Sequence, residues 1–363
     1  MWRVFWAAVL LSVVATLTPR RGADACAPAP PPGVRVAIAH EEALIVWDAA
    51  ARVEHFIRRA SFETAAREFG FLVPTPSVPT LSEVPDRIFP MLDEVIAPAV
   101  EVVHETSGLV PGCSCAMLML AGSRSSVDTM RSAATAPVRV LHEQRVAGYD
   151  AVVLEADDPA ALARWLAEHG YESRPALAEW LTPYVNAHWK LTAFRIAPGE
   201  GGDAGVRPIA SSVVRMSFAT ERPFFPYREP ADQREAGATG ASRLLRIFFV
   251  SDARYEGTLG ESGRWPGVAK FSNAQPHLGE RLSEPAVSTL FPATPWLTAF
   301  EDSASPRPGT DEVFFKPSRD RSPVIPPPVR YVTSSPVTVP VDWIVVPSLV
   351  GYWLWRRRRK RAS

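Results

Sequence analysis

The sequence predicts a strand-rich α+β domain followed by one C-terminal transmembrane helix. Three observations lead there. Short β-branched and aromatic runs bounded by Pro and Gly recur along the chain, among them LIVWD, FGFLV and LLRIFFVS. One central stretch switches to helical spacing between two strands. The chain then closes on VPSLVGYWLWRRRRKRAS, an aromatic run with six cations behind it.

The first 25 residues read as a secretory signal. Arg3 precedes an apolar stretch from Val4 to Leu17, and Ala23-Asp24-Ala25 is a small-x-small cleavage site before Cys26. Residues 26–321 are then the extracytoplasmic domain. VRVAIAHEEALIVWD, broken near His40 to Glu42, is expected to be a hairpin ending near Asp48, and VEHFIRRASF alternates as another strand. In FGFLVPTPSVP, Pro74 and Pro76 deny ladder donors on one side, which predicts an edge strand or an exit from the sheet. Ile88, Met91, Leu92, Val95 and Ile96 have the spacing of a short helix.

The middle of the chain predicts a strand–helix–helix–strand unit. Tyr149 to Ala156 is a strand, and Asp157 or Asp158 caps a helix with Pro159 in its first turn and Leu162, Trp165 and Leu166 as its buried stripe. Gly170 stands where a left-handed C-terminal cap is needed. A second helix around Ala176 to Val185 buries Leu177, Trp180 and Leu181, and Trp189 to Ile196 returns as a strand. Strands are expected at Ile209 to Phe218 and Leu244 to Ser251, with the polar segment REPADQREAGATGAS as a loop between them.

Residues 322–336 are proline-rich and are expected to form an extended stalk. Residues 337–355 form the expected transmembrane helix, 19 residues or about 28 Å, and residues 356–363 its basic cytoplasmic tail. The shorter run Trp343 to Trp355 spans only about 20 Å as a helix, less than a hydrocarbon core of about 30 Å. The partner expected of this end is a membrane, with the main domain exported to the periplasm or cell surface. A sorting signal that is later removed has the same layout.

The chain has 39 basic and 39 acidic residues among 363. Setting aside Arg3, Arg20, Arg21 and Asp24, together with the six cations from Arg356 to Arg361, leaves 30 basic against 38 acidic residues. The folded part is therefore mildly acidic, which argues against a nucleic-acid partner.

Several motifs together resemble an uncharacterised exported bacterial family, domain of unknown function 2330. They are CAPAPPPG, LIVWDAAARVEHFIRRASF, FGFLVPTPSVP, VAGYDAVVLEADDPAALARWLAEHGYE and, near the C-terminus, PWLTAFEDSASPRPGTDEVFF. The resemblance covers roughly residues 26 to 316. It implies an extracytoplasmic domain behind a signal peptide, often with a C-terminal membrane segment, and it supplies no activity and no catalytic residues.

Candidate chemistry is sparse. In PGCSCAMLML a strand would point Cys113, Cys115, Met117 and Met119 one way, a soft-metal set suited to Cu(I), although alternate methionines more commonly pack a core. Export favours a disulfide instead. Cys113 and Cys115 sit about 6.5–7 Å apart on a regular strand, so Cys26 is expected to pair with one of them. A cysteine nucleophile would need a base such as His104 or His142 beside a free thiol. The seven histidines are scattered without a ligand pair, and Gly199 to Gly202 lacks the lysine of a phosphate loop. The acid pair Asp157-Asp158 is explained by helix capping, and Glu41-Glu42 is a second such pair. No cofactor and no catalytic residue is therefore assigned. The expected role is binding, structural or envelope-associated, with an envelope protein or glycan as partner; the rival is an exported hydrolase-like enzyme with an unrecognised site.

Overall fold

The computed structural model describes residues 27–29, 36–64, 69–109, 138–171, 174–196, 207–210, 212–237, 244–337 and 342–359. They fall into two compact units: the described residues within Met1–Ala97 and Ala134–Pro326, and those within Pro98–Ala133 and Pro327–Ser363.

The first unit is built on two large sheets. A five-stranded sheet takes β1 (Ala27–Ala29), β4 (Phe69–Thr75), β9 (Lys190–Ile196), β8 (Tyr149–Glu155) and β7 (Arg139–Val146) in that spatial order. An eight-stranded sheet runs β15 (Val268–Ala274), β16 (Trp296–Asp302), β13 (Leu244–Ser251), β2 (Val36–Asp48), β3 (Val53–Thr64), β11 (Val214–Ala219) and β5 (Thr80–Glu83), with β10 (Arg207–Ala210) also on β3. Every pairing in both sheets is antiparallel except that of β13 with β2. A small third sheet joins β12 (Phe224–Phe225), β17 (Val313–Pro317) and β14 (Tyr255–Leu259).

Alternation along the strands assigns side chains to layers. Ala43, Ile45 and Trp47 of β2, Phe71 and Val73 of β4, and Leu245, Ile247 and Phe249 of β13 belong to one central core between the two large sheets, to which Phe224, Phe225, Val313 and Phe315 of the third sheet also belong. Their neighbours point the other way. Leu44, Val46, Phe248 and Val250 pack under α1 (Ile88–Ile96), α5 (Leu278–Leu282) and α6 (Pro285–Ser288). Leu72, Leu154, Leu191 and Ala193 pack under α2 (Pro159–Glu168) and α3 (Pro175–Asn186). The result is helices, sheet, sheet, helices. A strand covered on both faces carries apolar side chains on both, which is why LIVW and IFFV read as unbroken runs.

The strand–helix–helix–strand unit forms as expected, with β8 and β9 adjacent and antiparallel. Asp158 is the cap, accepting from the backbone N–H groups of Ala160 and Ala161 at 3.0 and 2.9 Å. Gly170 takes the left-handed conformation, φ +82°. The strand at FGFLVPT pairs Pro74 with Leu191 of β9 and ends at Thr75, so the chain leaves the sheet where Pro76 follows.

Some boundaries differ. The segment from Val36 to Asp48 is one strand, not a hairpin; the break near His40 is a shift in register against β3, between Ile38 and His40. The polar run stays in the strand because Glu42 faces Arg59 directly and Glu41 reaches Arg58 across the ladder. The expected strand at Ile209 to Phe218 is two, β10 and β11, and a short helix, α4 (Ala231–Gly237), occupies the first part of the expected polar loop.

The second unit, taken by itself, contains the parallel pair β6 (Val100–Leu109) and β18 (Val329–Val337) and the helix α7 (Asp342–Arg359). Residues 329–336 of the proline-rich segment, read from the sequence as a stalk, belong to a strand paired with β6. The expected helix from Val337 to Trp355 is corrected: Val337 closes β18, the helix begins at Asp342, and four arginines form its last turn. Among the described residues no helix is long and apolar enough to cross a membrane. The reason is charge, since the 18-residue helix includes Asp342 and Arg356 to Arg359.

Candidate functional site

A cleft of about 450 Å³ opens on the first unit. The β2–β3 turn supplies Ala49 and Arg52; the Asp48 carboxylate accepts from the N–H groups of Ala50 and Ala51, both at 2.9 Å, and Arg52 closes the turn at φ +53°. Glu221, Arg222 and Pro223 come from the link between β11 and β12, and Tyr255 and Thr258 from β14. Glu261 sits within the turn closed by Leu259 and Gly263, whose backbones exchange hydrogen bonds at 2.9 and 2.8 Å. Phe314 to Pro317 of β17 complete the wall, and Trp47 of β2 lines it as well.

Aromatic side chains line a cleft whose charged residues are exposed. Arg222 sits 3.6 Å over the Phe314 ring and pairs with Glu261, while Arg52 pairs with Glu221 at 2.7 Å. The Arg222 hydrogen bond, more than its charge, holds the Glu261 carboxyl below its usual range. Such a surface offers directed hydrogen bonds and charge beside the partly exposed Phe314 ring, the chemistry of recognition.

Phe315 links the cleft to a buried polar network. Its ring meets Trp265 edge-on at 6.0 Å, and the Trp265 indole N–H donates to Asp302 at 3.2 Å. The Tyr227 hydroxyl donates to the same carboxylate oxygen at 2.6 Å, and Arg307 approaches it at 3.9 Å and Glu229 at 3.8 Å. Glu312 forms a second node, accepting from the Tyr184 hydroxyl at 2.5 Å and from the N–H groups of Tyr227 and Arg228 at 2.7 and 3.2 Å. Burial raises the Glu312 carboxyl above its ordinary value against the pull of these donors. A second concavity of about 360 Å³ lies by α3 and α4, lined by Trp180, Arg228, Glu229 and Arg234 among others.

Glu54 is fully buried, accepts from the Phe224 N–H at 2.9 Å, and has an oxygen without a hydrogen-bond partner among the described residues. Burial pushes its carboxyl well above the ordinary value; the Phe224 bond opposes this with less force. A raised folded-state pKa means that folding favours the protonated acid. Stability from this group is present below the unfolded value and is lost as pH rises through the folded one. Glu54→Gln is therefore expected to flatten that loss, seen as a mutant-minus-parent urea midpoint that grows from acid to neutral pH. A difference that stays constant with pH would show that Glu54 is ionised in the folded protein.

The sequence-derived candidates do not build this site. Cys26, Cys113, Cys115, Met117 and Met119, with the expected disulfide and soft-metal set, lie outside the described residues, as do Gly199 to Gly202 and the signal segment. The described histidine side chains are spread apart. His55 shares a 2.8 Å hydrogen bond with Ser217, His142 bonds Gln144 on an exposed strand, and His169 stacks on Trp165 at 3.8 Å. Among the described residues no group of three or more His, Cys, Asp or Glu could hold a metal ion. Glu41 and Glu42, adjacent on a strand, face opposite sides. Glu41 pairs with buried Arg58 at 3.0 Å, and Glu42 pairs with Arg59 and stands 3.9 Å from Arg246. The signal for those pairs was available: Glu-Glu and Arg-Arg stand at matching distances from the turn after Asp48.

A family model described as an uncharacterized protein conserved in bacteria, DUF2330, matches residues 22–257. The chain belongs to that family. Comparison with curated proteins and with solved structures finds no match. The DUF2330 match is shorter than the sequence resemblance at its C-terminal end, since PWLTAFEDSASPRPGTDEVFF falls beyond residue 257. That block nonetheless supplies β16 and part of β17, so this DUF2330 chain completes its large sheet with residues outside the matched span. The cleft straddles the limit: Trp47, Arg52, Arg222 and Tyr255 lie within the match, Glu261 and Phe314 beyond it.

Proposed function

We propose that this protein is an exported envelope-associated binding protein, held to a membrane by its C-terminal segment, whose cleft takes a ligand from an envelope protein or glycan. The observation that carries the binding role is the cleft itself, aromatic-lined and bounded by Arg52, Arg222, Glu221 and Glu261. Its volume lies in the range of small-ligand pockets, about 300–1,000 Å³. A photo-crosslinking amino acid at Thr258, introduced in native cells, is expected to capture an envelope glycan or peptide, with capture lost in Phe314→Ala. Capture unaffected by that change would place binding elsewhere.

Membrane attachment is supported by α7. Tyr352, Trp353, Leu354 and Trp355 are each at least half exposed, and Arg357 and Arg359 lie over the rings of Trp353 and Trp355 at 4.1 and 4.2 Å. Aromatic rings beside cations suit the headgroup region of a bilayer, where anionic lipid attracts each cation by about 1 kcal/mol. Deletion of Trp343 to Ser363 is expected to release the exported protein from the membrane fraction. A salt wash that releases the full chain would indicate surface adsorption, and release only by detergent an inserted segment. Retention of the truncated chain after salt and carbonate washes would move the anchor to another part of the protein, with Cys26 as the first residue to examine.

A further inference from the structure

The charged groups of the cleft are held unequally. Arg222 lies against the Phe314 ring at 3.6 Å and turns both terminal nitrogens to Glu261, at 3.2 and 2.5 Å. Its backbone carbonyl accepts from the Thr220 hydroxyl at 2.9 Å, and the Arg52 carbonyl accepts from the Thr220 N–H at 3.0 Å. One residue thus ties both arginine backbones together. The carboxylates that meet them are surface groups: Glu261 is 80% exposed and Glu221 85%, against 42% for Arg222. Lys316, a third cation on the wall, stands 3.5 Å from Glu256.

Exposed ion pairs contribute little to stability, so exchanging one carboxylate for another costs the fold little. A planar carboxylate on a ligand reproduces both bonds of Glu261 to Arg222. Its ring or apolar stem would in addition lie against the partly exposed Phe314 and the exposed Pro317 of the cleft wall, which the short side chain of Glu261 cannot do. Building on the binding role proposed above, we infer that the cleft recognises a free carboxylate carried beside a ring or apolar stem, and that Glu261 is a built-in competitor for Arg222. Acidic sugars and free peptide C-termini share this chemistry.

The test is calorimetric titration of the full-length protein in detergent at low ionic strength. Its probes are digalacturonic acid and N-acetyl-glycyl-phenylalanine, each beside its esterified or amidated neutral form. A carboxylate form is expected to bind about tenfold or more tightly than its neutral form, and the acid that saturates identifies the source. Arg222→Gln is expected to weaken that binding by about tenfold, with the melting temperature unchanged. Glu261→Gln removes the competitor and is expected to tighten binding by about threefold or more. That sign separates this arrangement from a site in which Glu261 holds the ligand. Equal binding of acid and neutral forms, weaker binding in Glu261→Gln, or no binding of any probe would overturn the carboxylate assignment. Neutral-form binding that is lost in Phe314→Ala would overturn it while leaving the cleft's binding role in place.

Discussion

Asp302→Ala is expected to lower the free energy of unfolding by about 3–5 kcal/mol, the range for breaking a buried charged network by removing one partner. Asp302 is fully buried, and one of its oxygens accepts from both the Tyr227 hydroxyl and the Trp265 indole N–H. The other accepts from the Ala304 N–H at 2.8 Å. Truncation takes the acceptor from all three donors and removes the carboxylate 3.9 Å from the buried Arg307 cation. Burial also pushes the Tyr227 hydroxyl far above its ordinary value, so the phenol remains a proton donor and cannot relieve the loss by ionising. Asp302→Asn keeps a carbonyl oxygen in place and should recover part of the loss. Urea unfolding of the full chain, followed by tryptophan fluorescence and far-ultraviolet circular dichroism, measures both. A cost for alanine below about 1 kcal/mol would mean that water takes over these partners.

Trp265→Ala should cost a similar amount, about 3–5 kcal/mol, through lost burial and the cavity left behind. The indole is enclosed by Tyr227, Phe300 and Phe315, with ring centroids 6.4, 5.4 and 6.0 Å away. Two glycines admit it. A Cβ on Gly257 would come within 2.5 Å of the indole and one on Gly267 within 2.3 Å, so neither position has room for a larger residue while the ring is there. Trp265→Phe keeps an aromatic ring and loses chiefly the bond to Asp302, at a cost of about 1–2 kcal/mol. Because Trp265 and Asp302 touch, the double alanine variant should be less destabilised than the two single losses combined, by about 0.5–3 kcal/mol. Strict additivity would show that the indole and the carboxylate stabilise the fold independently.

These two residues mark the division between local and long-range information. Glycines either side of Trp265 in GTLGESGRWPGVAK hint at a crowded ring, yet nothing nearby identifies Asp302 as its acceptor, 37 residues later. The helical stripes of Leu162, Trp165 and Leu166 and of Leu177, Trp180 and Leu181 were legible because a helix repeats within four residues. The long strand through His40 to Glu42 was not. Its polar residues look like a break until Arg58 and Arg59 are brought across the ladder to meet them. The C-terminal run was legible as apolar and aromatic, but its secondary structure depends on β18 finding β6, more than 200 residues away, and that pairing keeps Val337 out of the helix.

By itself, then, the sequence determined the strand-rich α+β class, the strand–helix–helix–strand unit, the Asp158 cap, the left-handed Gly170 and the family. Each of these rests on side-chain periodicity, on backbone preferences acting within a few residues, or on motifs read in order along the chain. The tertiary structure alone decided the parallel pairing of β13 with β2, the two-sided burial of the large sheets, the Asp302 and Glu312 networks and the cleft. The cleft draws on side chains from Trp47 to Pro317, and no local rule relates residues so far apart. Only the register of the long-range ladders sets Arg222 against Phe314 and within reach of Glu261, because a slip of one residue would turn every side chain on the strand to the opposite face.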